Sequence, residues 1–271
     1  ANEFDVLAFN ISSELVYTNV LNCIDLAGVP LRADDRSADD LLVGAGGHCT
    51  YNPEPLAAFV DFFVLGDGAE VVSELTSTIH QWKSEDIHLR DRDKLLEKLS
   101  QIEGVYVPRL YNPTKDKNGF QRLEPRHDNI PKLIEKRTIS SLEEWPYPKN
   151  QLVPISEVVH DRLNVEVFRG CTRGCRFCQA GMITRPVRER SLDQVRTMVS
   201  AGLQRTGYDQ VALTSLSTAD FSHIEKAVAA VGDDSLSCGQ TSVSLPSLRV
   251  DAFTVGIAST IQGGKRSGLT F

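Results

Sequence analysis

Three of the chain's six cysteines fall within eight residues, at Cys171, Cys175 and Cys178 in the run VFRGCTRGCRFCQAGMITRPVRERS. Thiolates are soft ligands suited to zinc or to iron–sulfur clusters. Their spacing, C-x3-C-x2-C, follows a predicted strand and precedes a predicted helix. Gly170 and Gly174 allow the turns that wrap three thiolates around one face of a cluster. Three thiolates occupy three irons of a four-iron cluster and leave one iron open. A structural zinc site closes with four ligands, and His160 and Cys238 are distant in sequence. Three core cysteines so close together, beside Arg173 and Arg176, would be an unusual core composition. A redox dithiol of Cys175 and Cys178 would leave Cys171 without a role.

The elements around this run alternate. In the first part, strands are expected at residues 4–10, 40–47 and 61–68. Helices are expected at 13–28, 52–60, 69–84 and 92–104. Strands alternating with helices make parallel βαβ units and an open, doubly wound sheet. Gly46, Gly47, Gly66 and Gly68 fall just past its strand ends, the edge where such sheets bind ligands. Residues 105–160 are rich in Pro, Asn and charge without a clean period, as an irregular linker would be. The second part reads as strands at 163–170, 209–217 and 240–248 with helices at 191–207 and 219–232. A weak helix over 251–262 and a strand start at 267–271 follow. The expected division is residues 1–104, a linker over 105–160, and residues 161–271.

At 271 residues the chain has room for two ordinary domains, and 41% hydrophobic with 24% charged residues suits a globular protein. A net charge of −7 argues against a surface that captures nucleic acid as a whole, leaving only a local patch open. No apolar run reaches the roughly 18–20 residues that span a bilayer, and the first residues lack a signal-peptide pattern. The expected compartment is the cytoplasm, where clustered cysteines mean metal or redox chemistry more often than disulfides.

GCTRGCRFCQAG, with Phe177 directly before the third cysteine, resembles the cluster loop of radical S-adenosylmethionine (radical SAM) enzymes. That resemblance implies a 4Fe-4S cluster on Cys171, Cys175 and Cys178, with S-adenosylmethionine chelating the open iron. One electron from the cluster would split the cofactor into methionine and a 5′-deoxyadenosyl radical, which takes a hydrogen atom from substrate. A small reductant such as flavodoxin or ferredoxin is the implied partner. Further segments, among them FDVLAFNISSELVYTNVLNCIDLAGVPLRADDR, GAGGHCTYNPEPLAAFVDFFVLGDGAEVV and VSLPSLRVDAF, resemble a bacterial Fe-S oxidoreductase group. That group joins a cobalamin-binding-like domain to the radical core. The implied fold is α/β, a partial Rossmann-like parallel sheet followed by the first βα units of a partial TIM barrel.

By the same resemblance, TSLST places Ser215 and Ser217 where many relatives carry a glycine-rich turn around the methionine amino group. The competing reading makes them loop or cap residues. Ser244 and Arg249 lie at the end of the next strand, and Arg249 would bind the cofactor carboxylate or make an ordinary surface ion pair. Phe177 completes the candidate cofactor contacts. Arg185, Arg188 and Arg190 read as a solvated charge run before an anion clamp. No residue is assigned to catalysis.

Cobalamin binding is the lesser expectation. The Asp-x-His-x-x-Gly loop of such domains is absent, His48 and His80 have other surroundings, and the loop would precede Ala1. A sheet that supports the barrel or positions substrate is the competing view. With 93 residues after Cys178, against about 250 for a complete barrel, the chain reads as a fragment. Methyl transfer, methylthiolation and rearrangement all stay open. The alternative from another class is a non-catalytic zinc or Fe-S module that stabilises a partner-binding domain.

Overall fold

A computed structural model describes residues 3–86, 90–156, 158–231 and 241–248, in two compact units that divide after Ile139. Among these residues no helix is long and apolar enough to cross a membrane.

In the first unit, β1 (Val6–Asn10), β2 (Leu42–Gly46) and β3 (Phe62–Val64) are parallel, in sequential order and without a reversal among the described strands. The middle strand, β2, is almost wholly buried. A Cβ at its Gly44 would lie 2.4 Å from the Phe62 ring, so only glycine lets that ring pack there. The helices α1 (Tyr17–Leu26), α2 (Gly68–Lys83) and α3 (Arg92–Ser100) bury one stripe each. Val71, Leu75, Ile79 and Trp82 form that of α2. The helix expected over 52–60 is a single 3-10 turn at Glu54–Leu56.

The expected linker over 105–160 is divided between the units. β4 (Val105–Tyr106) joins the sheet antiparallel to β3, and β5 (Tyr111–Lys115) and β6 (Gln121–Pro125) form a hairpin. Val105, Val107, Leu110, Tyr111 and Ile130 all enter the first core, although their sequence has no period. Beyond this segment the chain returns to Gly66, which follows β3. At φ +101° it bridges to Arg137, and an added Cβ would lie 2.0 Å from the Arg137 carbonyl oxygen.

One buried carboxylate ties the loops of this unit. Asp61 Oδ2 accepts hydrogen bonds from Val43 N (2.7 Å), Arg36 Nη1 (2.8 Å) and Arg92 Nη2 (3.0 Å). Arg36 Nε and Nη2 also donate to the carbonyls of Pro30, Leu31 and Phe59, and Arg92 Nη1 and Nη2 to those of Ser37, Asp40 and Leu41. Asp61 is 2% exposed.

The second unit opens with β7 (Leu163–Glu166) and β8 (Phe168–Arg169). The short helix α4 (Ala180–Ile183), β9 (Arg188–Glu189) and helix α5 (Leu192–Thr206) follow. β10 (Gln210–Thr214), α6 (Ile224–Val231) and β11 (Ser242–Ser244) complete it. β7, β10 and β11 are parallel neighbours in chain order, the arrangement of successive βα units. Helix α5 begins at Ser191, whose Oγ accepts the Gln194 N–H, and ends on Gly207 at φ +71°. The helix and strand expected beyond residue 249 lie outside the described residues.

Asp61→Asn is expected to lower the stability of the first unit by about 3–5 kcal/mol, because two buried guanidiniums lose their counter-charge. Urea unfolding followed by Trp82 fluorescence, in a Trp145→Phe background, checks this. Burial pushes the Tyr111 phenol up to about 12. The folded chain therefore holds that proton where the unfolded chain, at about 10, releases it. Stability should fall as pH rises from 10 toward 12, and Tyr111→Phe should lessen that loss by up to about 2 kcal/mol.

Candidate cluster site

The cysteine run leaves the C-terminal end of β7 and is clamped at both of its ends. Val167 N–H bonds to the Thr214 carbonyl of β10, and β8 pairs antiparallel with β9 through Phe168↔Glu189 and Arg169↔Arg188. The strand expected over 163–170 is thus two strands, the second returning the far end of the cysteine loop to the near end. Gly170 makes the corner at φ +96°, where an added Cβ would lie 2.5 Å from the Pro186 carbonyl oxygen. Gly174, at φ +68°, turns the loop between the first two cysteines.

Cys171, Cys175 and Cys178 are half-buried and form no disulfide. The Cys178 N–H bonds to the Cys175 carbonyl (3.1 Å), and the Gly181 N–H in α4 donates to Cys178 Sγ (3.4 Å). A Cβ at Gly181 would lie 3.8 Å from Cys178 Sγ and 3.9 Å from Cys171 Sγ, so both sulfurs border one point that this glycine leaves clear. Among the described residues no three Cys, His, Asp or Glu side chains converge as ligands of one metal ion. A cluster sets a different geometric demand, since its thiolates sit on separate irons.

Arginines brace the loop. Arg185 Nε donates to the Cys171 carbonyl (3.1 Å), and its Nη2 lies 3.6 Å from where a Gly174 Cβ would be. Arg188 donates to the carbonyls of Pro186 (3.1 Å) and Thr184 (3.2 Å). Arg190 donates to those of Leu142 (2.6 Å) and Glu166 (3.0 Å). The expectation of a solvated charge run is therefore corrected: Arg188 and Arg190 are 7% and 5% exposed and donate mainly to backbone oxygens, with Arg190 also donating to Gln194 Oε1 (2.9 Å). Burial lowers the pKa of Arg190, with Glu166 opposing that effect.

The remaining candidates are placed differently from one another. Phe177 is 92% exposed beside Cys178. β10 ends at Thr214, so Ser215 and Ser217 lie in a bend and do not continue a strand face. Ser215 Oγ accepts the Ser217 N–H (3.3 Å) and bonds to Thr218 Oγ1 (3.2 Å), which donates to the Pro246 carbonyl (2.9 Å). Ser217 is buried and its Oγ donates to Asp220 (2.7 Å). Both hydroxyls thus support the loop itself. Ser244 pairs level with Ala212, hence with Asn164, and its Oγ accepts from Arg162 (2.9 Å). The cysteine loop departs two residues further along β7, so the structure does not bring Ser244 to it. Arg249 lies outside the described residues.

Sequence reasoning missed Asp220. Its carboxylate accepts from Arg173, which stands between the first two cysteines, with Nε at 2.7 Å. A lone Asp in STADF carries no motif that would have marked it.

At the C-terminal edge of the first unit's parallel strands, His48 is exposed and His80 lies on the exposed side of α2. Gly47, at φ +98°, sits against Asn10 and the Ile11 backbone, so its missing side chain is matched by the chain itself.

Parallel βα units carrying a three-cysteine loop at the carboxyl end of the first strand place the second unit in the class of α/β proteins. Two family models match: radical SAM proteins, N-terminal, over residues 1–108, and the radical SAM superfamily over residues 165–256. The chain belongs to the radical SAM superfamily. The uncharacterized protein MJ0966 of Methanocaldococcus jannaschii is 28% identical over 222 residues, covering 82% of this chain and 40% of that protein. This chain therefore spans about two-fifths of the length of that relative. The cobalamin-dependent S-adenosylmethionine radical enzyme OxsB, solved with aqua-cobalamin bound, matches 89% of this chain and 30% of its own, at 12% identity and a TM-score of 0.52. The likeness is one of fold. The radical S-adenosylmethionine methyltransferase TsrM from Kitasatospora setae, solved with cobalamin and a 4Fe-4S cluster, matches 83% of this chain and 40% of its own, at 14% identity and a TM-score of 0.42.

Gly170→Ala should strain the corner of the loop and lower the stability of the second unit by about 1–3 kcal/mol. Thermal unfolding followed by Trp145 fluorescence, in a Trp82→Phe background, checks this.

Proposed function

We propose that Cys171, Cys175 and Cys178 hold a 4Fe-4S cluster through three of its irons and that S-adenosylmethionine takes the fourth. The whole protein would then be a radical SAM enzyme. The observation that carries this reading is the cysteine loop itself, clamped by β8 and β9, with Gly181 leaving clear the point that two of the sulfurs border. When bound, such a cluster supplies a low-potential electron that splits the cofactor's carbon–sulfur bond and yields a 5′-deoxyadenosyl radical.

This chain's own residues have definable tasks in that chemistry. Gly181 donates its N–H to the Cys178 sulfur, a bond that stabilises the thiolate and helps set the cluster's potential. Arg185 holds the Cys171 carbonyl and fixes the near side of the loop. Phe177, exposed beside the third cysteine, offers an aromatic face to the cofactor. A small electron-carrying protein is the proposed reductant. The first unit is assigned a supporting or substrate-positioning role, since Gly47 and Gly66 at its strand ends are occupied by backbone. Substrate and reaction type carry no assignment.

Anaerobic reconstitution with iron and sulfide tests the reading. About four irons per chain, with an electronic spectrum that changes on adding S-adenosylmethionine, is the expected result. Alanine at Cys171, Cys175 or Cys178 should each abolish stable loading. Tight, colourless zinc binding without a response to S-adenosylmethionine would sink the proposal in favour of a non-catalytic metal module.

A further inference from the structure

The loop after β10 touches the cysteine module at three places. Arg173, between Cys171 and Cys175, makes a two-pronged ion pair with Asp220, the side chains being 35% and 25% exposed. Phe221 stacks on Phe168 of β8, with ring centroids 6.3 Å apart and planes 22° from parallel. The Ser222 N–H donates to Glu189 Oε1 of β9 (3.0 Å). Asp220 is itself held by the buried Ser217, so the carboxylate is aimed before Arg173 meets it. A guanidinium gripping both carboxylate oxygens fixes orientation as well as distance. The carboxyl ends of parallel strands, where this loop begins, are where α/β sheets gather ligands.

From this juxtaposition we infer that Arg173 and Asp220 form a latch that sets the cysteine loop against the carboxyl edge of the sheet. They are positioning residues for the cluster's cofactor face. The aromatic stack and the Glu189 contact hold the base of the module, whereas the latch holds the segment between two ligands. Removing it leaves all three cysteines and both β8–β9 clamps in place but lets the first turn of the loop shift. The expected fault is therefore in S-adenosylmethionine binding rather than in cluster assembly. The inference rests on the proposed cluster chemistry.

The test compares wild type with Arg173→Ala, Asp220→Ala, Arg173→Lys and the exchanged pair Arg173→Asp with Asp220→Arg, all reconstituted anaerobically. Iron content is measured, and the cluster's electron paramagnetic resonance signal is titrated with S-adenosylmethionine. Both alanine variants should keep wild-type iron but need at least tenfold more cofactor for half the spectral change. The two effects should not add, and Arg173→Lys and the exchanged pair should recover most of the loss. Alanine variants that titrate like wild type overturn the latch. So does a loss of iron that neither the lysine variant nor the exchange restores. A wild-type protein with no spectral response overturns the cluster reading and the latch together, whereas a responding wild type with unmoved variants overturns the latch alone.

Discussion

Backbone carbonyls taken out of water need donors, and this chain supplies many of them with arginines that are themselves more than nine-tenths buried. Arg36 and Arg92 do so in the first unit, Arg188 and Arg190 in the second. A guanidinium has five N–H donors in a rigid plane and stays charged, so one side chain can hold several carbonyls in fixed directions. In the first unit the two charges are countered by Asp61, which also receives the Val43 N–H of the central strand. Loop and sheet are thereby fixed to one point. In the second unit Arg190 connects the segment at Leu142 to the end of β7, while Arg188 closes the far side of the cysteine loop.

That bracing explains how an 18-residue excursion with little regular structure can present three cysteines reproducibly. Burial of apolar side chains does little for such a loop, and its sole helix is one turn long. What fixes it is a closed base of paired backbone, a glycine where the carbonyls of Thr184 and Pro186 crowd in, and cations on its oxygens. The proposed electron exchange with a cofactor would gain from this arrangement, because a site works best when its supporting residues are fixed in advance.

The sequence made the longer elements legible. The apolar stripes of α2, α3 and α5 and the runs of β1 to β3 follow directly from their periods, and C-x3-C-x2-C announced the loop. What stayed hidden lacked a period or a partner visible in sequence. β8 and β9 are two residues each, too short for alternation. The β5–β6 hairpin did carry a turn signal, Asn118-Gly119, but Pro113 and the surrounding charges masked its strands. Arg188 and Arg190 looked solvated because most of their partners are carbonyls, which every residue possesses. Asp61, wedged in FVDFFV, was the one polar residue in an apolar run, and that anomaly was a usable sign of a buried ion pair.

Carbonyl partners have a further consequence, which concerns inheritance. Arg92 holds Ser37, Asp40 and Leu41 by atoms common to all amino acids, and Arg36 holds Pro30, Leu31 and Phe59 in the same way. Residues in those loops can be exchanged over many generations without breaking the contacts, provided that the arginines and the chain length stay. The architecture is thus buffered against sequence drift at its loops and brittle at a few cations. Distant relatives should accordingly keep the shape long after their loop sequences have ceased to resemble one another.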